Sequence, residues 1–150
     1  MKKSFLIILI LSWCFLSGCQ NKVKVDYMDQ PASDGQFYYS NKELGFSLVL
    51  PAQFEYYQVQ RLETEDYIDI EFFVPTVDSE TFLNLVGYAQ PLVVRIFKKE
   101  QIDELGFYEK IAEENNWIYT MKFWQTIPSD WTEKWSEEIK QEIKKSFKII

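Results

Sequence analysis

Residues 67–74 carry an apolar side chain at every second position. This alternation constrains the fold more than any other feature of the chain. One face of the alternation carries Ile68, Ile70, Phe72 and Val74, and the other carries Tyr67, Asp69, Glu71 and Phe73. Residues 117–124 repeat the pattern, with one face made of Trp117, Tyr119, Met121 and Phe123. Because successive side chains of a strand point to opposite faces, both stretches predict β-strands that bury one face.

Shorter stretches predict the rest of a sheet. Residues 37–40 and 46–50 flank a segment of turn-forming residues and predict a hairpin. Residues 92–97 are more apolar, which predicts a central strand. Residues 53–61 predict an extended and irregular segment, and residues 147–150 predict a short closing strand.

Two helices are predicted to cover this sheet. Residues 100–115 have apolar side chains near helical spacing, although Gly106 weakens the middle. A second helix, capped by Asp130 or by the competing Ser129, carries an apolar stripe at steps of four: Trp131, Trp135, Ile139, Ile143 and Phe147. Its two tryptophans are expected to anchor the core. The order of elements predicts an α+β domain, with an antiparallel sheet packed against helices and a long C-terminal amphipathic helix.

The first twenty residues have the layout of a secretory signal. A basic start is followed by an apolar run over residues 5–16, which is too short to span a bilayer. The run ends in Leu16-Ser17-Gly18-Cys19, which resembles the lipobox of bacterial lipoproteins. This resemblance implies cleavage between Gly18 and Cys19 and a thioether-linked diacylglycerol on Cys19, often with a further acyl chain on the new amine. The alternatives are an uncleaved transmembrane anchor and an ordinary signal peptide with a chance cysteine.

This interpretation divides the chain into three parts. Residues 1–18 are the signal peptide, residues 19–36 a lipidated tether, and residues 37–150 a single α+β domain. An edge strand at residues 23–27 is the alternative to a flexible tether at that point. The domain is expected to be held by its lipid on the extracytoplasmic side of the cell membrane. If the cell has an outer membrane, that membrane is the expected location, because Gln20 gives no obvious signal for inner-membrane retention.

Two short motifs resemble those at the beginning and end of PsbP-like domains. The first is the Gly-Phe-Ser sequence at residues 45–47, followed by a strand and Pro51. The second is the Ser-Phe sequence at residues 146–147, at the close of the predicted helix. The resemblance covers most of residues 37–150. It implies an α/β/α sandwich around an antiparallel sheet and a role in binding or assembly, and it assigns no functional residue.

Charge and residue content exclude several classes of function. The chain has 16 Lys and Arg against 23 Asp and Glu, for a net charge of −7. Such an acidic surface repels phosphate backbones, so nucleic acid is not an expected partner. The sequence has no histidine, and Cys14 would leave with the signal while Cys19 is alkylated. These absences exclude Ser–His and Cys–His nucleophiles and argue against a zinc site. Neither a cofactor nor a metal is expected.

Two sets of side chains are candidates for a ligand site. The carboxylates near the start of the strand at 67–74 are Glu63, Glu65, Asp66, Asp69 and Glu71. They offer oxygen ligands for a hard cation or an acid–base pair, but a solvated strand face with an acidic turn explains them more simply. The aromatic candidates are Tyr56, Tyr57, Tyr67, Phe73 and Trp124. Exposed, they would stack on sugars or clamp a peptide, and buried, they would belong to the core.

The sequence favours a membrane-tethered, non-catalytic binding or assembly module that reaches a protein or another component of the cell envelope. One alternative is a glycan- or peptidoglycan-binding lipoprotein, which needs an exposed aromatic strip beside carboxylates or amides. The other is a carboxylate-based hydrolase, which needs two acids that converge in a pocket, at least one of them with a shifted pKa.

Overall fold

The computed structural model describes residues 24–27, 32–78, 85–101 and 105–150. Within these residues the protein is mostly β-structure, with one α-helix and a few single 3-10 turns. The strands are β1 (Lys24–Tyr27), β2 (Phe37–Asn41), β3 (Phe46–Leu50), β4 (Gln58–Glu63), β5 (Tyr67–Pro75), β6 (Tyr88–Lys98), β7 (Glu109–Glu114), β8 (Trp117–Phe123) and β9 (Lys148–Ile149). The helix is α1 (Glu137–Ser146). The lipobox at residues 16–19 lies outside the described residues.

The strands form two antiparallel sheets. The larger sheet has six strands in the order β1-β4-β5-β6-β8-β7, and the smaller has three in the order β2-β3-β9. Strand β1 is an edge strand, in which Lys24 pairs with Arg61 and Tyr27 with Gln58. Strand β1 agrees with the edge strand predicted at residues 23–27 as the alternative to a flexible tether.

The α+β class predicted from the sequence is wrong. The described chain has a single helix of ten residues, and two antiparallel sheets dominate it. The α/β/α sandwich implied by the resemblance to PsbP-like domains is therefore not the architecture of this protein. The error in fold class comes from two segments with helical spacing, residues 100–115 and the stretch that begins at Asp130.

The predicted helix at residues 100–115 is replaced by a 3-10 turn, Lys99–Gln101, and by β7; residues 102–104 lie outside the described residues. Strand β8 is highly apolar and has one edge left to pair, and β7 satisfies the backbone groups along that edge. The two strands are joined by Asn115 and Asn116, and Asn115 adopts a positive φ of 53°. Asparagine tolerates this conformation, which two-residue hairpins require.

The C-terminal helix is shorter than predicted and has a different cap. Trp131 lies in a 3-10 turn, and the helix begins only after Ser136, whose hydroxyl accepts a hydrogen bond from the Ile139 N–H at 3.3 Å. Asp130 does not cap the helix, because its carboxylate accepts hydrogen bonds from Thr76 and Val77 in another loop. The apolar stripe at steps of four therefore runs through a turn before it enters the helix. Trp131 and Trp135 still pack on the core, as predicted.

The core lies between the inner faces of the two sheets. From the larger sheet it receives Ile70, Phe72, Val74, Leu92, Val94, Ile96, Tyr119 and Met121. The smaller sheet contributes Phe37, Tyr39, Phe46, Leu48 and Leu50. The rings of Tyr39 and Phe72 meet edge to face, with centroids 5.0 Å apart. The inner face predicted for β5 is thus confirmed.

The two motifs that resemble PsbP-like domains contact each other in the structure. Phe46 stacks on Phe147, with ring centroids 5.4 Å apart and planes inclined by 16°. The Ser146 hydroxyl accepts a bond from the Val49 N–H at 2.9 Å and so joins α1 to β3. Gly45 has a φ of +70°, which turns the chain into β3. The motifs therefore have a structural purpose, which is to close the smaller sheet.

The other predicted strands agree with the structure. The hairpin appears as β2 and β3, the central strand as β6, the second alternating stretch as β8, and the closing strand as β9. The irregular segment at residues 53–61 is divided between a 3-10 turn at Ala52–Phe54 and the first half of β4. Alternation of side chains along the sequence thus identified most of the strands.

Candidate functional site

The two ends of the sandwich carry different chemistry. We call one the hairpin end, which is formed by the turns at residues 42–45, 64–66 and 115–116. Its turns lie together, because Glu43 accepts a bond from Arg61 at 2.8 Å and the Lys99 N–H donates to the Asn116 carbonyl at 2.9 Å. We call the other the loop end, which is formed by residues 76–78, 85–87 and 125–131.

Asp130 fixes the two loops of the loop end to each other. Its carboxylate accepts hydrogen bonds from the Thr76 hydroxyl at 2.7 Å and from the Val77 N–H at 3.2 Å. Partial burial acts to raise the pKa of Asp130, but these hydrogen bonds outweigh it and hold the pKa below the usual range. The Trp131 indole donates to the Pro75 carbonyl at 2.9 Å and adds a second link. The loop end is therefore a preformed surface.

Apolar side chains are exposed on this surface. Val77 is 83 % and Val86 91 % exposed, and Ile127 lies in the other loop at 36 %. Single exposed apolar residues are common, but a group of them on loops fixed by hydrogen bonds is typical of contact surfaces.

A cleft of about 250 Å³ opens beside these residues, where β6 and β8 reach the loop end. It is lined by Gln90, Val93, Lys122, Phe123, Trp124, Gln125 and Thr126. The lining combines two amides, one cation and aromatic surface. Ligand pockets have typical volumes of roughly 300–1,000 Å³, so this cleft fits one sugar ring or one or two side chains of a partner.

A partly buried carboxylate adjoins the cleft. Glu71 accepts a hydrogen bond from the Gln90 amide at 3.0 Å. Burial raises the pKa of Glu71, and the hydrogen bond from Gln90 and the charges of Arg95 and Lys122 only partly counteract this shift. The cleft can therefore offer a carboxyl group whose protonation is more sensitive to mildly acidic pH than that of an ordinary glutamate.

Trp124 joins the cleft to the core. Its ring lies edge to face against Trp131 at 5.4 Å and against Trp135 at 5.1 Å between centroids. Its indole N–H is buried and has no hydrogen-bond partner among the described residues. A buried donor without an acceptor costs stability, so Trp124 is held here by its aromatic packing.

A second polar group lies on the outer face of the larger sheet, away from the smaller sheet. Arg95 donates two hydrogen bonds to the Asp69 carboxylate, at 2.6 and 2.7 Å. The guanidinium lies 3.6 Å from the centre of the Tyr67 ring and 4.4 Å from that of Tyr108. Asp69 is only 2 % exposed, so the solvated strand face predicted at this position is wrong there. The bidentate geometry and the stacking hold both charges rigidly.

The five predicted carboxylates do not converge on one site. Glu63 pairs with Arg61 at the hairpin end, and Glu65 and Asp66 lie in the turn between β4 and β5. Asp69 and Glu71 share one face of β5, but both oxygens of Asp69 are bound by Arg95. Across the described ranges, no group of three or more acidic, histidine or cysteine side chains is arranged to hold a metal ion.

The five predicted aromatic residues are also dispersed. Tyr57 and Phe73 are buried, and Tyr67 pairs in register with Phe97 near the hairpin end. Tyr56 is exposed and has a positive φ of 59°, an uncommon conformation for a bulky residue. Only Trp124 lines the cleft. These residues therefore do not form a single aromatic strip.

The residues that define the cleft have no distinctive sequence pattern. Gln90 and Lys122 come from two strands whose register, Val93 opposite Lys122, cannot be read from alternation, and Gln125 lies in the loop after β8. The available signal was a polar residue before one apolar stretch, Gln90, and another after the next one, Gln125.

Comparison of the chain with protein-family models, with curated proteins and with solved structures gives no significant match. Within the part of the chain that the structure describes, no helix has both the length and the apolar character needed to cross a bilayer.

Proposed function

We propose that the protein is a membrane-tethered, extracytoplasmic lipoprotein that acts as a non-catalytic binding or assembly module. The observation that carries this proposal is the coincidence of the cleft with exposed apolar side chains at the loop end, on loops fixed by Asp130. Preformed surfaces of this kind bind without a large ordering cost. The tether comes from Cys19, which resembles the lipidated cysteine of a lipobox and would carry the diacylglycerol.

Catalysis by a carboxylate pair has less support. The two acids that share a face of β5 cannot both act on a substrate, because Arg95 binds both oxygens of Asp69. A hydrolytic pair needs both carboxyl groups to reach the substrate.

A glycan is the second candidate ligand, and the lining of the cleft favours it. Trp124 offers aromatic surface beside the amides of Gln90 and Gln125. Sugars are commonly bound by one aromatic face together with amide and carboxylate hydrogen bonds, because their rings are apolar on one side and hydroxylated at the edge.

Site-specific crosslinking in living cells tests the binding surface. A photoreactive amino acid at Val86 or Ile127 is expected to give discrete adducts in membranes, because both side chains are exposed at the loop end. The same amino acid at Ile150, also exposed but at the hairpin end beside Gly45, is the matched control. If the loop-end and control positions give the same pattern, or no adduct forms, the proposed surface is wrong.

Binding to isolated peptidoglycan distinguishes the two ligands. Lys122→Ala and Gln125→Ala remove side chains that line the cleft. If the ligand is a glycan, both variants should lose retention on peptidoglycan while Lys42→Ala, an exposed lysine at the other end, keeps it. Retention that is unaffected by all three changes would contradict the glycan candidate.

Replacing the anchor cysteine tests the tether. Cys19→Ser is expected to leave the signal uncleaved or to release the protein from the membrane, because no thioether can form. Detergent partitioning and the mass of the mature N-terminus measure both effects. Unchanged processing together with unchanged membrane retention would refute lipidation at this residue.

A further inference from the structure

We infer that the hairpin end of the domain faces the headgroup layer of the bilayer that holds the anchor, and that the loop end with its cleft points away from it. This inference rests on the proposed lipidation of Cys19 and adds the direction in which the binding surface is presented. It follows from the register of β1, from the length of chain between Cys19 and Lys24, and from the difference in surface chemistry between the two ends.

The register of β1 gives the direction in which the chain enters the sheet. Tyr27 pairs with Gln58 and Lys24 with Arg61, so the strand followed backwards runs toward Glu63. Glu63 lies at the hairpin end, where it pairs with Ile68 beside the turn at residues 64–66. The chain upstream of Lys24 therefore leaves the sheet toward the hairpin end.

The length of chain limits how far the anchor can be from Lys24. Five peptide units separate Cys19 from Lys24, and a fully extended chain spans at most about 3.5 Å per residue, which gives roughly 17 Å. Lys24 lies in one row of the sheet with Arg61, Ile70 and Val94. At about 3.4 Å per residue, the end of β5 at Tyr67 is about 10 Å from that row.

The same length cannot bring the bilayer to the loop end. From Ile70 to Pro75, the last residue of β5, is about 17 Å, and Val77 lies beyond it. To bring the bilayer to the loop end, the chain between Cys19 and Lys24 would have to turn back along the sheet. It would then have to span more than its fully extended length of roughly 17 Å. A lipid anchor five residues upstream of β1 thus favours contact at the hairpin end.

The surface chemistry of the two ends agrees with this orientation. The exposed side chains of the hairpin-end turns and their flanks are mostly charged or amide groups: Lys42, Glu43, Glu63, Glu65, Asp66, Lys98, Lys99, Glu100, Glu113, Glu114, Asn115 and Asn116. Thr64 and Ile150 are also exposed there. Hydrated headgroups accept such a surface, and hydrocarbon does not. Val77, Val86 and Ile127 are exposed apolar residues of the loop end, where they remain available to a partner.

Energy transfer to labelled lipid tests the orientation. The full chain is produced with its lipid, extracted from membranes and reconstituted in phosphatidylcholine–phosphatidylglycerol vesicles that contain an acceptor dye on the headgroups. A donor dye is placed on Glu65→Cys or Asn116→Cys at the hairpin end, and on Val86→Cys or Ile127→Cys at the loop end. All four positions are exposed, and Cys19 is blocked by its lipid. Strand β6 alone, with eleven residues, is about 37 Å long, so the ends are well separated on this scale.

The expected result is severalfold more efficient transfer from the hairpin-end dyes than from the loop-end dyes. Equal transfer would mean that the domain lies on its β1 edge, and stronger transfer from Val86→Cys would mean that it is inverted; either result overturns the orientation and leaves the anchor intact. A chain that never enters the membrane fraction overturns the proposed anchor, and the orientation with it.

A spacer variant separates the effect of the tether from any other attraction to the membrane. Ten Gly and Ser residues inserted after Gln20 are expected to lower transfer from the hairpin-end dyes, because the domain is then released from the bilayer surface. Unchanged transfer would show that the five-residue tether does not position the domain, and would contradict the argument from its length.

Discussion

Asp69→Ala removes one partner of the buried ion pair on the outer face of the larger sheet, and we expect it to be strongly destabilising. The Arg95 guanidinium loses two hydrogen bonds of 2.6 and 2.7 Å and stays between the rings of Tyr67 and Tyr108. Removal of one member of a buried pair costs about 3–5 kcal/mol. Because the Arg95 side chain is 21 % exposed, water recovers part of the loss, and we expect a value near the lower limit, about 3 kcal/mol.

The matched double variant, Asp69→Val with Arg95→Met, removes both charges and keeps apolar volume. We expect its free energy of unfolding to be within about 1 kcal/mol of the original, because replacing a whole buried pair by apolar residues is often neutral. Urea unfolding at neutral pH, followed by tryptophan fluorescence, measures all three chains. If Asp69→Ala lowers the free energy of unfolding by less than about 1 kcal/mol, the pair behaves as an exposed ion pair. That result would refute the interpretation of Asp69 and Arg95 as a buried pair.

Three further changes test separate contacts. Ser146→Ala removes the acceptor of the Val49 N–H and should lower the free energy of unfolding by about 1–2 kcal/mol; an unchanged urea midpoint would contradict that contact. Hydrogen bonds from two lysines, Lys110 foremost, lower the pKa of Glu113 to about 2. Lys110→Ala should therefore raise the pKa of Glu113 in an NMR titration. An unchanged pKa would show that the Lys110–Glu113 pair does not form. A lowered pKa stabilises the fold only while the carboxyl is ionised, so this contribution is present at neutral pH and is lost as the pH falls toward 2. Burial raises the pKa of Glu71, so the charged form of this carboxylate opposes folding at neutral pH. Glu71→Gln should therefore increase the free energy of unfolding at pH 7 but not below pH 4.5. The same increase at both pH values would contradict a raised pKa.

Alternation of side chains predicted the strands well where one face is wholly apolar. Strands β5 and β8 were identified with the correct inner faces, because a period of two distinguishes a half-buried strand from a helix. The hairpin of β2 and β3 was predictable for the same reason and from the turn residues between the strands.

Helical spacing misled the prediction where tertiary contacts decide the structure. Residues 109–114 have good helix formers, yet the free edge of β8 draws them into a strand. The asparagine pair at residues 115–116, followed at once by an alternating stretch, was the available signal for a hairpin. At the C-terminus, Trp131 keeps its predicted place in the core but reaches it from a 3-10 turn, because its indole is bonded to Pro75.

The candidate site was largely beyond prediction. Asp69 and Arg95 are 26 residues apart, and their contact depends on the register of β5 against β6, which no local pattern encodes. The cleft likewise needs Gln90 opposite the end of β8. Of the five predicted aromatic candidates, only Trp124 lines the cleft.

The link between β3 and the helix has a consequence for how the chain folds. The Val49 N–H bonds to Ser146, 97 residues later, and β9, which completes the smaller sheet, follows that serine. A chain delivered with its N-terminus first exposes the β2–β3 hairpin long before these partners arrive. Contacts over such long separations are slow to form, and strand edges left open in the meantime invite aggregation. We therefore expect the smaller sheet to be completed last during folding.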